Sequence, residues 1–472
     1  MTNRFPTEED ILKKVKKKTT EKHILTAENA SSEYITKWKK NNLIRYELLY
    51  EDNEYIPMTV KDANNGDVYV IEDGTEDFLS QLKTRGYNHA VLTGDGGMGK
   101  TTTVLHILDK CLGKCKQAIY IPLNDYSPAK TLQKSIKAAF RIIGSNDSVL
   151  TMKKFDDLIN NDDIILLLDG FNEISDFDGD VDGERFIRSK YDNEQAFFKE
   201  IAMFYDKKNI QILLTSRNDV NNYIINAGGF TKLQFEPITK QRIDKWLSDH
   251  LSDNDISSLS EMPCDVLGNP MLLKMYAVGV REQRLLNNSQ KDGFLDKPNT
   301  AGEIIWNYME HQIRKSINQY EERDKDRGFS IFLFRHLVPY IAYRVEKKDG
   351  FSFTYDDVVE YVDAFESQIK DSYKKHKLRS HAITVFFDNP DRERYLLDDI
   401  CVNRYGLLER LSGGEDTFAF THQHFRDVFS VTHIKNQMKL NDKNVFTERV
   451  FPFHITRMLL EILQEHKYLP RS

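Results

Sequence analysis

A glycine-rich run near residue 100 has the residue types and the spacing of a phosphate-binding loop. Residues 94–101 are Gly-Asp-Gly-Gly-Met-Gly-Lys-Thr, between an apolar strand pattern at 90–92 and a helical pattern that ends at Gly113. Glycines let backbone N–H groups face a phosphate without side-chain collision, and the following helix adds partial positive charge. The lysine can reach the β- and γ-phosphates, and the adjacent threonine can bind Mg²⁺. The predicted nucleotide-binding residues of this loop are Gly94, Gly96, Gly97, Met98, Gly99, Lys100, Thr101 and Thr102.

An acidic residue at the end of a buried strand pattern provides a second candidate site. The aliphatic residues at 164–168 predict a central parallel strand, and Asp169 follows at its carboxyl end, where ligands bind in open α/β sheets. We expect Asp169 to hold Mg²⁺ together with Thr101, and Glu173 to polarise the attacking water. Without the glycine-rich loop, a strand followed by a solvated acidic loop would be the better interpretation.

A polar cluster ends the next predicted strand. Residues 210–214 are mostly apolar and lead into Thr-Ser-Arg217, and an arginine at this point can contact a γ-phosphate. Arg217 therefore joins Lys100, Asp169 and Glu173 in the predicted catalytic set. The order of loop, acidic strand and polar strand end predicts an α/β P-loop NTPase fold, a parallel sheet flanked by helices.

Helical patterns replace strand patterns after Pro237. Residues 268–270, Gly-Asn-Pro, predict a bend that opens a helix, with the proline in its first turn. An alternating run at 417–421 predicts a hairpin, and helices closed by a hairpin suggest a winged helix. His422 and His424 follow directly; they are too few for a metal site and, without further context, are interpreted as helix-start histidines.

Together these motifs resemble the NACHT-domain NTPases of the signal-transducing STAND class. The matching segments are residues 94–101, 169–173, 215–217, 268–270 and the pattern Phe420-x-His422-x-x-Phe425-x-x-x-Phe429. The resemblance implies a basic helical segment at 1–53, a NACHT P-loop NTPase domain at 54–236, a small helical domain at 237–322, a winged-helix domain at 323–436 and the start of a further helical domain at 437–472.

The resemblance also implies roles for individual residues. ATP or ADP with Mg²⁺ would be the cofactors, and Pro270 would pack near the adenine. His422 would touch the β-phosphate in a closed ADP state, which replaces the interpretation as a helix-start histidine. Many relatives carry an acid where Asn172 stands, so hydrolysis is expected to be slow and nucleotide exchange to dominate.

Two classes of function follow from these motifs. The first is a regulatory ATPase that forms a homo-oligomer on activation, in innate immunity or in defence against phage, and that works with separate or missing effector and sensor modules. The alternative is a housekeeping ATP-dependent machine or regulator with the same fold. The first should retain ADP, whereas the second should turn over steadily.

Composition and charge indicate the class of protein and its cellular compartment. The chain has 472 residues, of which 40% are hydrophobic and 29% charged, a composition typical of a soluble multidomain protein. Its net charge of -7 argues against a globally basic nucleic-acid binder. Basic clusters at 13–18 and 37–40 favour a solvated helix face over a nucleic-acid or anionic-lipid contact. The sequence has neither a signal peptide nor a transmembrane stretch, and its four cysteines fit a reducing compartment, so we expect a cytoplasmic protein.

Two further patterns favour ordinary structure over metal binding. Residues 178–183 match the opening of a calcium loop, but Ser189 stands where the closing glutamate belongs, so a solvated acidic loop is expected. Cys111 and Cys115 are one helical turn apart without a second ligand pair, so both are expected to be buried or partly buried helix residues.

Overall fold

The computed structural model describes residues 55–71, 75–112, 117–123, 164–171, 174, 195–202, 204, 209–217, 229–252, 264–285, 298–320, 329, 332–348, 352–376, 381–410 and 416–439. Several predictions fall outside these ranges: the basic segment 1–53, Cys115, Asn172, Glu173, the calcium-like stretch 178–183 and residues 440–472. The described residues form two compact units. The first lies within 71–92 and 101–233, and the second within 55–70, 93–100 and 234–439.

Seven strands make the large sheet. They are β1 (Met58–Asp62), β2 (Val68–Ile71), β3 (His89–Thr93), β4 (Gln117–Pro122), β5 (Ile164–Asp169), β6 (Ile210–Ser216) and β7 (Thr231–Glu236). Their order is β2-β1-β7-β3-β6-β5-β4. β4, β5 and β6 run parallel, with Ile164 opposite Gln117 on one side and Ile210 on the other. The expected parallel sheet is thus confirmed for most of its strands, although the sheet as a whole is mixed.

Burial explains the sequence pattern of the strands. Every residue of β5 and β6 is buried, which accounts for their continuous aliphatic runs, because both faces of such strands are covered. β2 lies at the edge of the sheet and alternates exposed with buried residues. The helix α1 (Thr75–Thr84) precedes β3, and α2 (Lys100–Leu112) follows the glycine-rich loop and buries Val104, Ile107 and Cys111.

The second unit contains helices and a small sheet. Its α-helices are α3 (Lys240–His250), α4 (Cys264–Leu267), α5 (Pro270–Leu285), α6 (Ala301–Tyr320), α7 (Val338–Lys347), α8 (Tyr355–His376), α9 (His381–Asp388), α10 (Arg392–Arg394) and α11 (Gln423–Lys439), with π-helical stretches at Leu333–Leu337 and Tyr395–Arg404. The small sheet has the order β8 (Ser352–Thr354), β10 (Thr417–Phe420), β9 (Leu408–Arg410). β10 is antiparallel to both neighbours, so the alternating run does pair as expected of a hairpin, and the winged-helix assignment stays a prediction.

Buried polar contacts join the helices of the second unit. α7 packs along α11, and the His433 ring lies 5.4 and 4.8 Å from the rings of Tyr340 and Tyr343. Glu310 of α6 is buried and accepts from Arg335 Nη2 at 2.8 Å. Burial raises the pKa of the Glu310 carboxyl, and the guanidinium of Arg335 opposes that shift. None of the helices in the described ranges combines the length and the apolar character that crossing a membrane requires.

Candidate functional site

The glycine-rich loop connects β3 to α2, as the sequence predicted. β3 is buried along its length and ends at Thr93, and α2 begins at Lys100. Gly97 and Gly99 have φ values of 79° and 76°, a left-handed conformation that side chains with a Cβ rarely adopt. The strand, the tight loop and the helix start therefore have the form of a P-loop, which exposes backbone N–H groups to an anion.

Lys100 folds back onto the loop. Its Nζ donates to the carbonyl oxygens of Gly94 at 2.8 Å and of Asp95 at 2.9 Å. Charged phosphate oxygens are stronger acceptors than neutral carbonyls, so an arriving phosphate can take over these hydrogen bonds. Of the two threonines that follow, Thr101 is exposed and Thr102 is half-buried.

The Gly-Asn-Pro turn contacts the phosphate loop. Asn269 Nδ2 donates to Gly96 O at 2.8 Å, and the backbone N–H of Met271 donates to Gly97 O at 3.4 Å. Pro270 Cγ lies 3.7 Å from the position that a Cβ on Gly99 would occupy. Pro270 is thus beside the loop, and its predicted contact with adenine stays a prediction. Asn269 was not among the predicted site residues, because nothing in the sequence shows which backbone group its amide meets.

The end of β7 supports both the loop and the turn. The backbone N–H of Ile238 donates to Gly268 O at 2.9 Å. A Cβ on Gly268 would lie 2.7 Å from Pro237 Cβ, and a Cβ on Gly94 would lie 3.2 Å from Phe235 Cβ. The close approach of these three segments leaves no room for a side chain at Gly268.

A histidine at the start of α11 lies near the loop. His424 Nε2 lies 3.5 Å from the position that a Cβ on Gly96 would occupy. The His422 ring stacks at a tilt on Phe425, 5.6 Å between centroids. The sequence resemblance selected His422 of the pair, whereas the side chain found near Gly96 is that of His424. His422 directly precedes α11, whereas His424 is its second residue, and the predicted role of His422 stays a prediction.

Asp169 in the first unit is buried and held by two hydroxyl groups. Thr215 Oγ1 donates to Asp169 Oδ1 at 2.5 Å, and the Tyr120 hydroxyl donates to Oδ2 at 3.1 Å. The backbone N–H of Gly170 donates in turn to Thr215 Oγ1 at 2.8 Å. Each carboxylate oxygen can accept about two hydrogen bonds, so Asp169 keeps acceptor capacity for a metal-bound water. Tyr120 was missed by the sequence interpretation, because it comes from β4 rather than from a motif.

Arg217 directly follows β6 and is half-buried. In the sheet order, β6 lies between β3, which leads into the loop, and β5, which ends in Asp169. The grouping of Lys100, Asp169, Glu173 and Arg217 in one catalytic set stays a prediction. Lys100 belongs to the second unit and Asp169 and Arg217 to the first, while Glu173 is outside the described residues.

Comparisons with known proteins do not identify the family of the chain. Neither a protein-family model nor a curated protein matches the chain. Among solved structures, the chain is similar to the Walker-type ATPase of Pyrococcus abyssi, with TM-score 0.33 and 13% identity over 78% of this chain and 97% of that one. A structure of Drosophila ORC bound to DNA gives TM-score 0.30 and 11% identity over 90% and 100% of the two chains. Cdc6p from Pyrobaculum aerophilum gives 0.25 and 14% over 77% and 94%. Structural similarity at this level does not assign a function to the chain.

Proposed function

We propose that the protein is an ATP-binding and ATP-hydrolysing switch of the NACHT type, held closed by ADP and forming a homo-oligomer on activation. One observation supports the proposal above all: segments far downstream in the chain lie beside the phosphate loop. The hydrogen bond from Asn269 to Gly96 joins residues 173 positions apart, and His424 approaches the same glycine from farther along the chain. A generic phosphate loop does not need such contacts.

A switch needs an element whose contacts depend on the nucleotide state. In this proposal Lys100 and Thr101 hold the phosphates and Mg²⁺, and Asp169 serves the metal. Loop atoms that bind a phosphate belong to the same short segment to which Asn269 donates and near which His424 lies. A change in the phosphates would therefore alter the contacts made by the starts of α5 and α11.

The remaining roles complete the proposal. Arg217 would contact the γ-phosphate, Glu173 would orient water, and Pro270 would lie near adenine. His422, directly before α11, would approach the β-phosphate. Defence signalling in the cytoplasm, against phage or in innate immunity, is the setting proposed, with effector and sensor modules supplied by other segments or partners.

Slow turnover is the expected result that separates a switch from a machine. Asn172 cannot add negative charge near the metal, so we expect steady-state ATP hydrolysis at least about 100-fold below the median enzyme rate of about 10 s⁻¹. A single-turnover experiment with labelled ATP, followed by a steady-state assay, would show one hydrolysed ATP per chain and slow ADP release. The Lys100→Ala variant gives the background. Steady turnover near the median rate would instead support the housekeeping ATP-dependent machine.

A further inference from the structure

Asn269 uses both ends of its side-chain amide. Oδ1 accepts from the backbone N–H groups of Met271 at 3.0 Å and Leu272 at 3.4 Å, so it caps the start of α5. Nδ2 donates to Gly96 O at 2.8 Å. Because Oδ1 faces backbone donors and Nδ2 faces a carbonyl, the hydrogen-bond partners define which atom is nitrogen.

This contact orients the phosphate loop. In a trans peptide the C=O and the next N–H point in opposite directions. The bond from Asn269 to Gly96 O therefore turns the N–H of Gly97 away from α5. The bond from the Met271 N–H to Gly97 O likewise turns the N–H of Met98 away from α5. The Met98 N–H donates to Asp95 O at 3.4 Å, a long hydrogen bond. A long hydrogen bond of this kind is readily exchanged for a phosphate oxygen.

We propose that Asn269 is a positioning residue that holds the phosphate loop in its phosphate-ready conformation and couples nucleotide occupancy to the start of α5. The inference rests on the proposed function, that the loop binds a nucleoside di- or triphosphate. A loop that is already held loses less conformational freedom when the ligand binds, which strengthens binding. By reciprocity, a bound nucleotide strengthens the hold of the loop on α5.

Two substitutions separate the cap from the contact with the loop. Asn269→Ser keeps a capping oxygen but is too short to reach Gly96 and adds no charge. Asn269→Asp keeps the cap and replaces the donor with an acceptor that faces Gly96 O. The matched control is Thr300→Ala, because the Thr300 hydroxyl accepts from the Glu303 N–H at 3.3 Å at the start of α6 and lies in another turn.

The test is a titration of each purified chain with fluorescent N-methylanthraniloyl-ADP, together with thermal denaturation. We expect Asn269→Ser to bind about tenfold more weakly than the wild type, because loop ordering now opposes binding. Asn269→Asp should lose more affinity for the fluorescent ADP than Asn269→Ser, and Thr300→Ala should bind it like the wild type. Hydrogen exchange gives a second readout: ADP should slow exchange at the amides of residues 271–273 in the wild type and in Thr300→Ala, but not in Asn269→Ser.

The outcomes are distinguishable. Wild-type affinity and wild-type protection of α5 in Asn269→Ser would overturn the inference while leaving the proposed function intact. Equal losses in Asn269→Ser and Thr300→Ala would trace the lost affinity to general destabilisation rather than to the contact with Gly96, and would overturn the inference as well. A wild-type chain that binds no ADP would contradict the proposed function itself.

Discussion

Replacing Lys100 with alanine is expected to weaken ATP and ADP binding by about 100-fold, because a charged partner of the phosphates is lost. In the structure Lys100 Nζ is already held at the loop by the carbonyls of Gly94 and Asp95. Little movement is needed for the ammonium to reach a phosphate. Equilibrium titration with a fluorescent nucleotide would measure the change, at constant salt because the interaction is electrostatic.

The matched control is Lys245→Ala, since Lys245 is an exposed lysine of α3. It removes the same charge from the chain without altering the loop, so we expect wild-type affinity. If Lys100→Ala bound nucleotide as tightly as the control, the loop could not be the nucleotide site. Both the switch and the ATP-dependent machine would then be wrong.

Adding a single methyl group at Gly97 is expected to weaken nucleotide binding by about 10- to 100-fold. A Cβ there would lie 2.8 Å from Asn269 Oδ1 and 3.1 Å from Met271 Cε. The amide cannot withdraw freely, because its oxygen caps α5 and its nitrogen is bonded to Gly96. The loop must therefore shift, and its N–H groups lose their alignment toward a phosphate.

Gly86→Ala is the control for backbone strain. Gly86 has the same φ of 79°, yet no heavy atom lies within 4 Å of the position its Cβ would occupy. Both alanine variants should lose about 1–2 kcal/mol of unfolding free energy from the left-handed conformation. Only Gly97→Ala should also lose affinity in the nucleotide titration. Equal affinities in the two variants would show that the space between Gly97 and Asn269 does not matter.

Sequence patterns predicted the elements whose formation depends on local chemistry. The aliphatic runs of β5 and β6 follow from burial on both faces, and their ends carry Asp169 and Arg217 as expected. The helix that begins at Pro270 follows from a proline in its first turn. In each case the residues adjacent in sequence are sufficient to predict the strand or helix.

Contacts between distant segments could not be predicted in the same way. The amide of Asn269 has no sequence signal that names Gly96 as its partner, and Tyr120 comes to Asp169 from a separate strand. That His424 lies near Gly96 depends on how the chain enters α11 and how that helix packs, which the sequence pattern does not show. Strand order in the mixed sheet likewise depends on packing of the whole sheet.

The nucleotide that the purified chain carries tests the central claim most directly. Protein is heat-denatured after purification without added nucleotide, and the released compound is identified and quantified by ion-exchange chromatography. A switch held closed by its product should release ADP at close to one equivalent per chain, and Lys100→Ala should release almost none. A wild-type chain that releases no nucleotide, or that releases a guanine nucleotide, would contradict the account.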